Sequence, residues 1–577
     1  MDNKIVSSKF ARIADALEIK GENVFRVRAY RVAAQNVMNL SRQLEEIYQE
    51  DPAQLDNIPG IGKDLKGKIV ELIKTGELKY YNELMKEFPL GFLDMLDLAG
   101  LGPKKLKKLQ DVLKVKNVDD LEKACQKGQL ENIEGMGLKT QEKLLGAIGH
   151  FRKKQGRMLL PEAYCYAEEI VKYLKKSKNF KMIEKAGSLR RGKETVGDLD
   201  ILTVASDSEK AMDYFTSYPE VENIIAKGTT KSSISLKEGP QVDLRVIDKS
   251  CFGAALLYFT GSKQHNVEIR KIAKSNGYKV SEYGIFSVSK GGKEKFVAGK
   301  TEKEVYKTLG MEYIPPELRE AHGEIEAARN GTLPDELIDL KDIKGDLHMH
   351  TSDTDGQSPL EVMISAAKVK GYKYMAITDH SKLVRVANGM DERRLLKQVD
   401  RVRNAAKKIK GIKILAGVEV DILESGKLDL DDSALKELDI VIAAIHSKFS
   451  LPKEKQTARI LKAMDNKHVN VLAHPSGRLI TTRKPLQVDF DKVFKKAAEN
   501  NIFLEINTHG DRIDLNDAHS RRAKELGAKI TINTDAHAVE QLDLMIYGVI
   551  TARRGWVQKK NILNTYTFDK LIKALKR

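Results

Sequence analysis

The chain has 577 residues, with 99 Lys and Arg against 82 Asp and Glu, for a formal net charge of +17. That length exceeds what one hydrophobic core supports, so several domains are expected, and the basic excess points to a polyanionic partner. Three scattered cysteines, Cys125, Cys165 and Cys251, exclude a disulfide framework and a CxxC metal pair, and neither a signal peptide nor a twenty-residue apolar run is present, so a reduced cytoplasmic setting without membrane contact is expected.

From the amino terminus, residues 4–50 read as amphipathic helices in which Phe25-Arg-Val-Arg-Ala-Tyr-Arg31 sets basic beside aromatic side chains. A repeat follows. Leu55-Asp-Asn-Ile-Pro-Gly-Ile-Gly62, Met95-Leu-Asp-Leu-Ala-Gly-Leu-Gly102 and Leu130-Glu-Asn-Ile-Glu-Gly-Met-Gly137 share one template, and Ile69, Leu109 and Leu144 each fall seven residues beyond the second glycine. The apolar positions would pack two short helices, while the pairs Gly60 and Gly62, Gly100 and Gly102, and Gly135 and Gly137 would make tight hairpins that aim N–H groups at a phosphate. Residues 101–200 hold 23 basic against 14 acidic residues, which centres phosphate binding there.

The stretch Gly187-Ser-Leu-Arg-Arg-Gly-Lys-Glu-Thr-Val-Gly-Asp-Leu-Asp-Ile-Leu202 joins an anion-binding turn to a strand. Gly187, Ser188 and Gly192 allow close backbone approach to phosphate oxygens, and Arg190 or Arg191 supplies a planar fork. On a strand of period two, Asp198 and Asp200 share one face while Leu199 and Ile201 point to the core. Carboxylates held that close repel unless a divalent cation lies between them. Gln241-Val-Asp-Leu-Arg-Val-Ile247 alternates in the same way and offers Asp243 from a neighbouring strand. Three aspartates could hold two metals, one lowering the pKa of a 3′-hydroxyl and one clamping a triphosphate.

Residues 256–317 mix helices with a strand-like stretch, Tyr278-Lys-Val-Ser-Glu-Tyr-Gly-Ile-Phe286, and the acidic segment 318–342 reads as a linker. Beyond it lie nine of the twelve histidines, between 348 and 537, most at the ends of strand-like apolar runs. His348 and His350 share a face at i, i+2, and Ala376-Ile-Thr-Asp-His380, Gly417-Val-Glu-Val-Asp421, Ile440-Val-Ile-Ala-Ala-Ile-His446, Val471-Leu-Ala-His474 and Ile530-Thr-Ile-Asn-Thr-Asp-Ala-His537 repeat the placement. Strands alternating with helices, with chemistry at their carboxyl ends, argue for a (β/α) barrel. Imidazole mixed with carboxylate suits Zn, Mn or Fe, and nearby Arg478, Arg483, Arg512 and Arg521 could orient phosphates.

Gly187-Ser188, Arg191-Gly192, Gly197-Asp-Leu-Asp200 and Val242-Asp243 resemble the palm motifs of family X DNA polymerases. The resemblance implies that Ser188, Arg191 and Gly197 contact the triphosphate with Gly187, that Asp198 and Asp200 bind both Mg2+ or Mn2+ ions, and that Asp243 binds the catalytic ion and serves as base. Tyr258, Phe259 and Gly261 match the segment that supports the incoming sugar, and Asn266 and Arg270 the nucleotide-side and minor-groove contacts. Lys263 departs from the pattern, standing where the beta enzyme of that family has an aspartate. The repeats look like helix-hairpin-helix modules, which bind DNA backbone without reading bases. Arg26 and Tyr30 match the phosphate-binding positions of the family's first module and Lys68 its Schiff-base lysine, although a phosphate-contacting lysine fits equally well.

The carboxyl-terminal part resembles the polymerase-and-histidinol-phosphatase (PHP) domain, whose nine ligand positions correspond to His348, His350, Asp355, His380, Glu419, His446, His474, Asp535 and His537. By that analogy His348, His350, Glu419 and Asp535 hold one metal, Glu419 bridges to a second on His446 and His474, and Asp355, His380 and His537 take a third, the ions being Mn2+ or Zn2+. The expected organisation is a multidomain α/β protein. Helical domains span 1–85 and 86–155, a mixed-sheet nucleotidyltransferase palm 156–255, a thumb 256–317, a linker 318–342 and the distorted barrel 343–577. The implied partners are gapped or primed duplex DNA and dNTPs, with the protein a nucleoid-associated monomer. A gap-filling repair polymerase joined to a 3′–5′ exonuclease, with abasic-site endonuclease or lyase activity as a further option, is the reading expected. A nucleotidyltransferase of another class joined to a phosphoesterase, and a DNA-binding scaffold with inactive sites, are the alternatives.

Overall fold

The computed structural model describes residues 3–38, 40, 44–89, 92–98, 101–133, 136, 137, 140, 141, 143–148, 157–237, 239–289 and 292–576. They form two compact units, 1–157 and 158–577.

The first unit is helical, and its three repeats match bond for bond. The amides of Ile58, Leu98 and Ile133 donate to the carbonyls of Leu55, Met95 and Leu130, and those of Ile61, Leu101 and Met136 to Ile58, Leu98 and Ile133. Gly62, Gly102 and Gly137 then accept from Lys66, Leu106 and Gln141, so each second glycine opens a helical turn. Ile69, Leu109 and Leu144 are buried in the common core, as the template requires. Gly60 has φ +78°, and a Cβ there would meet Val32 Cγ1 at 2.7 Å, so side-chain absence is needed twice over. Gly100 and Gly135 lie outside the described residues.

In the second unit, a five-stranded mixed sheet runs in the order Phe180–Lys185, Asp198–Ala205, Gln241–Val246, Lys231–Leu236, Val221–Lys227. Leu199, Ile201, Val242 and Leu244 pack beneath the helices Leu160–Leu174 and Ser208–Thr216. This alternation sends Asp198, Asp200 and Asp243 to the other face. The stretch 278–286 is a hairpin rather than one strand, Tyr278–Ser281 pairing with Gly284–Val288, and Glu294–Ala298 adds a third strand. Gly284, at φ +132°, makes the reversal possible.

The acidic segment 318–342 is packed, not a tether. Its charges are paired with opposite charges elsewhere: Glu320 accepts from Arg191, fully buried Glu324 bonds His265 Nδ1 at 2.7 Å, and buried Arg319 donates to Glu302 at 2.6 Å. Leu318, Ala327 and Ala328 join the hydrophobic core of the thumb.

The rest of the unit is a sheet of seven parallel strands in sequential order, from Gly345–Asp346 to Ile530–Asn533. A parallel bridge between Met349 and Ala536 links the first strand's end to the last, closing a distorted barrel. Strands such as Ile440–Ala444 are apolar and buried at every position, as expected where helices cover the outside and side chains fill the inside. The helix Met545–Arg554 is shared: Met545, Val549 and Ala552 lie in the barrel core, while Ile550 belongs to the palm core.

Candidate active sites

In the palm, the parallel register sets Asp200 directly opposite Asp243 and Asp198 opposite Gln241. Among the described residues neither Asp198 nor Asp200 has an ion-pair partner. Burial, with the charges of Asp198 and Asp243 adding to it, pushes the Asp200 carboxyl up to about 7. Asp243 is instead held below the usual range: burial acts against it, but Gln241 Nε2 at 2.8 Å, Lys231 Nζ at 2.9 Å and Ser233 more than offset that. A buried carboxylate raised by two neighbouring carboxylates, as Asp200 is, fits a divalent cation.

The anion-binding turn is one helical turn, Gly187–Arg190, preceding the strand of Asp198 and Asp200. Arg190 is committed to Glu302, which both its terminal nitrogens bond at 2.7 Å. Arg191 Nε donates to Glu320 at 3.0 Å and its Nη1 to the Thr260 carbonyl. Tyr258 and Phe259 end the helix Phe252–Thr260, and Asn266 and Arg270 lie on the next, Lys263–Ser275. Asn266 Nδ2 ties the two helices by donating to the Tyr258 carbonyl at 2.7 Å. Gly261 has φ +70°, and exposed Lys263 opens the second helix.

At the barrel mouth, a cavity of about 230 Å3 is lined by Asp355, His380, Glu419, His446, Asp535 and His537 together with Arg512. Three groups of side chains could each hold an ion: His350 with Asp355, His380 and His537; His348 with His350 and Asp535; and His380 with Glu419 and His446. His474 joins through Glu419 Oε1 at 2.8 Å. All nine expected positions therefore meet at one mouth, but His350 and His380 each take part in two groups, which differs from the expected partition. The fit to metal ions rests on buried atoms without a hydrogen bond, His348 Nε2, His350 Nδ1, His380 Nδ1 and Glu419 Oε2. His350 packs against both His380 and His537 at ring separations of 4.4 and 4.2 Å. Burial, together with those two rings, lowers its pKa to about 3, so a cation other than a proton suits it. His474 and Asp535 have φ of +27° and +53°, backbone strain at two of the expected ligand positions.

Sequence reasoning missed the carboxylates behind these ligands. Fully buried Glu505 bonds His348 Nδ1 at 2.8 Å and accepts from the His474 amide at 2.9 Å, and Asp421 lies 3.1 Å from His446 Nδ1. Each fixes the tautomer that leaves Nε2 to a metal. The signal was a lone acid inside the apolar run Phe503-Leu-Glu-Ile-Asn507. Of the four arginines singled out, Arg478 is committed to Glu194, Arg483 packs on Phe449 and Arg521 on Trp556. Arg512 alone of them lines the cavity.

In the first unit Arg26 bonds the Tyr80 hydroxyl at 2.9 Å, and Tyr30 is 2% exposed and stacked on Tyr80, so Tyr30 is a packing residue rather than a surface one. The helix Lys63–Thr75 does not present Lys68 freely: its side chain is 14% exposed, bonded to Asp64 at 2.5 Å and 5.3 Å from the Tyr80 ring. Among the described residues no helix is long and apolar enough to cross a membrane.

A cluster of three aspartates beside a glycine turn and a separate histidine-carboxylate centre on one chain define a two-site enzyme. Family models match in the same places: a helix-hairpin-helix domain over residues 1–78, a tandem of the same motif over 92–148, the DNA polymerase beta thumb over 255–320 and the PHP domain over 346–509. The chain is 39% identical, over the full length of both proteins, to the DNA polymerase/3′-5′ exonuclease PolX of Bacillus subtilis. It is 30% identical to a probable phosphatase of Thermoanaerobacter over 38% of this chain and 89% of that one. It is also 26% identical to rat DNA polymerase lambda over 55% of this chain and 56% of that one. The chain belongs to the family X DNA polymerases that carry a PHP domain.

Proposed function

We propose that the protein fills short gaps in duplex DNA from dNTPs and trims 3′ ends at its barrel mouth, as a cytoplasmic, nucleoid-associated monomer serving repair of the base-excision type. The observation that carries the first activity is the union of phosphate turn and carboxylates: Gly187 lies against Asp200, which faces Asp243 across parallel strands. Ser188, Arg191 and Gly197 would bind the triphosphate, with Tyr258, Phe259 and Gly261 supporting the sugar and Asn266 and Arg270 the base and minor groove. Mg2+ or Mn2+ on Asp198, Asp200 and Asp243 would stabilise charge on the transferred phosphate. Asp243, kept ionised by Lys231 and Gln241, would accept the primer hydroxyl's proton.

At the barrel the nine ligands would hold up to three Mn2+ or Zn2+ ions, which would activate water and stabilise the leaving oxygen. Arg512 would hold the scissile strand's phosphate. The experiment is a labelled one-nucleotide-gapped duplex with Mn2+, with and without dNTPs. Extension with dNTPs and 3′ shortening without them is expected, and shortening from the 5′ end or none at all refutes the nuclease assignment. Asp198→Ala, Asp200→Ala and Asp243→Ala should each abolish extension.

A second reading concerns Lys68, as nucleophile of an abasic-site lyase. It is favoured by a half-buried ammonium flanked by Tyr30 and Tyr80 rather than a solvated one. Borohydride trapping on abasic DNA that persists in Lys68→Ala would exclude it.

A further inference from the structure

The nucleotide-transfer site and the barrel are not independent bodies. The anion-binding turn of the palm is built against the shared helix Met545–Arg554, which the barrel supplies. A Cβ on Gly192 would lie 2.1 Å from Ile550 Cγ2, so the turn touches that helix directly. Arg554, 4% exposed, spends every nitrogen at this seam. Its Nη1 donates to the Arg191 carbonyl at 2.7 Å and to Glu320 Oε1 at 3.1 Å, while Nε and Nη2 bond Asp517 at 2.9 and 2.6 Å. Glu320 Oε1 also accepts from Arg191 Nε at 3.0 Å. One carboxylate oxygen is thus shared by the arginine of the phosphate turn and the arginine of the barrel.

We propose that Arg554 is a positioning residue of the nucleotidyl-transfer site: by taking a share of Glu320 and holding the Arg191 backbone, it leaves the Arg191 guanidinium's charge available to an incoming triphosphate. Charge makes the argument specific. Around Glu320 stand three cations, Arg191, Lys193 and Arg554, against two carboxylates, Glu320 and Asp517. Loss of Arg554 removes the excess, and Glu320 then falls mainly to Arg191 at 3.0 Å, with Lys193 farther off at 4.0 Å. In a largely buried site an arginine so neutralised is a weaker phosphate ligand. A second tie supports the arrangement. Arg478, four residues beyond His474, bonds Glu194, which follows the Gly187–Arg190 turn, at 2.6 Å.

The inference rests on the reading of Arg191 as a triphosphate ligand, and the test separates the two. The full-length protein is assayed by single-nucleotide gap filling at varied dNTP, with 3′ trimming followed on the same DNA. Arg554→Ala is expected to raise the dNTP KM about tenfold while trimming changes less than about twofold, and Arg554→Ala with Glu320→Gln should recover most of the loss. A residue that merely glues domains together would show no such relief. An unchanged KM in Arg554→Ala, or a raised KM that Glu320→Gln fails to relieve, overturns the proposal. Should Arg554→Ala not fold, Glu320→Gln alone carries the test: a lower dNTP KM supports the proposal and an unchanged one overturns it. If Arg191→Ala itself leaves KM unchanged, the reading of Arg191 fails instead.

Discussion

Gly187 and Asp200 are in contact across the phosphate turn: a Cβ at position 187 would lie 2.5 Å from the Asp200 carboxylate oxygen Oδ2. The glycine also has φ +60°, which costs an L-residue about 1 kcal/mol. Gly187→Ala should therefore push Asp200 out of register with Asp243 and lower gap filling by about a hundredfold, in the range seen when one charge-stabilising group is lost. Trimming of 3′ ends should continue. Extension at the wild-type rate would show that Asp200 tolerates displacement.

The hairpins give a parallel case in the first unit. Gly60→Val meets both a left-handed backbone and the Val32 side chain, so the first hairpin must open. DNA affinity should fall to a similar extent on every sequence if, as proposed, the hairpin meets phosphate only, and the slope of affinity against salt should become shallower. Binding to duplexes of unrelated sequence at several salt concentrations measures both, and a changed base preference would contradict a backbone-only role.

Much of this was legible locally. Period-two alternation placed Asp198, Asp200 and Asp243 on one face, and the repeated template marked the hairpins, because each depends on neighbours within a few residues. What failed was long-range pairing. The bond from Arg554 to the Arg191 carbonyl spans 363 residues and that from Arg191 to Glu320 spans 129, so nothing near either arginine announces its partner. The same blindness made residues 318–342 read as a linker, since acidic composition suits solvent unless buried arginines are known to wait for it. Glu505 escaped notice because one acid in an apolar strand has no chemistry until His348 stands beside it.

Acid should probe the buried pair at the thumb. Burial alone would push the Glu302 carboxyl up, but facing Arg319 and Arg190 reverse this and hold it at about 2, below its ordinary 4.5. A carboxyl depressed on folding contributes stability fully above its unfolded pKa and loses it as pH falls through the folded value. The contribution is thus complete above pH 4.5 and disappears toward pH 2. Glu302→Gln should cost about 3 kcal/mol at neutral pH, since it strands the fully buried Arg319 guanidinium and weakens the half-buried Arg190, and that gap should narrow below about pH 4. Denaturant unfolding of both proteins across this range checks it. A gap independent of pH would remove Glu302 from the account.

Glu419 touches more imidazoles than any other carboxylate at the barrel mouth, with His380 at 2.8 Å, His474 at 2.8 Å, His446 at 3.4 Å and His348 at 3.6 Å. Glu419→Ala should lower bound metal per chain, read by elemental analysis, and abolish 3′ shortening. Primer extension should survive, because the side-chain contacts of Glu419 are with barrel histidines and none reaches Arg191, Glu320 or Arg554 among the described residues. Shortening that persists in Mn2+ would remove Glu419 from the ligand set.

Glu505 offers the finer test, because it touches no expected substrate atom. It accepts from the His474 amide at 2.9 Å and from Asn533 Nδ2 at 2.9 Å while bonding His348 Nδ1 at 2.8 Å, so one fully buried carboxylate orients two ligands. With Nδ1 engaged, His348 presents Nε2, which has no hydrogen-bond partner, toward Asp535 3.4 Å away. Glu505→Gln keeps the volume but replaces an acceptor with a donor at one position, so the imidazole is no longer held in one tautomer. Loss of such an outer partner weakens metal binding by about 10- to 100-fold. The variant should therefore trim 3′ ends normally only when Mn2+ is raised by a similar factor, whereas Glu419→Ala should stay inactive at any concentration. Gap filling should match wild type in both. Metal titrations followed by trimming rate distinguish the outcomes: a Glu505→Gln protein with unshifted Mn2+ dependence would mean that His348 needs no carboxylate behind it.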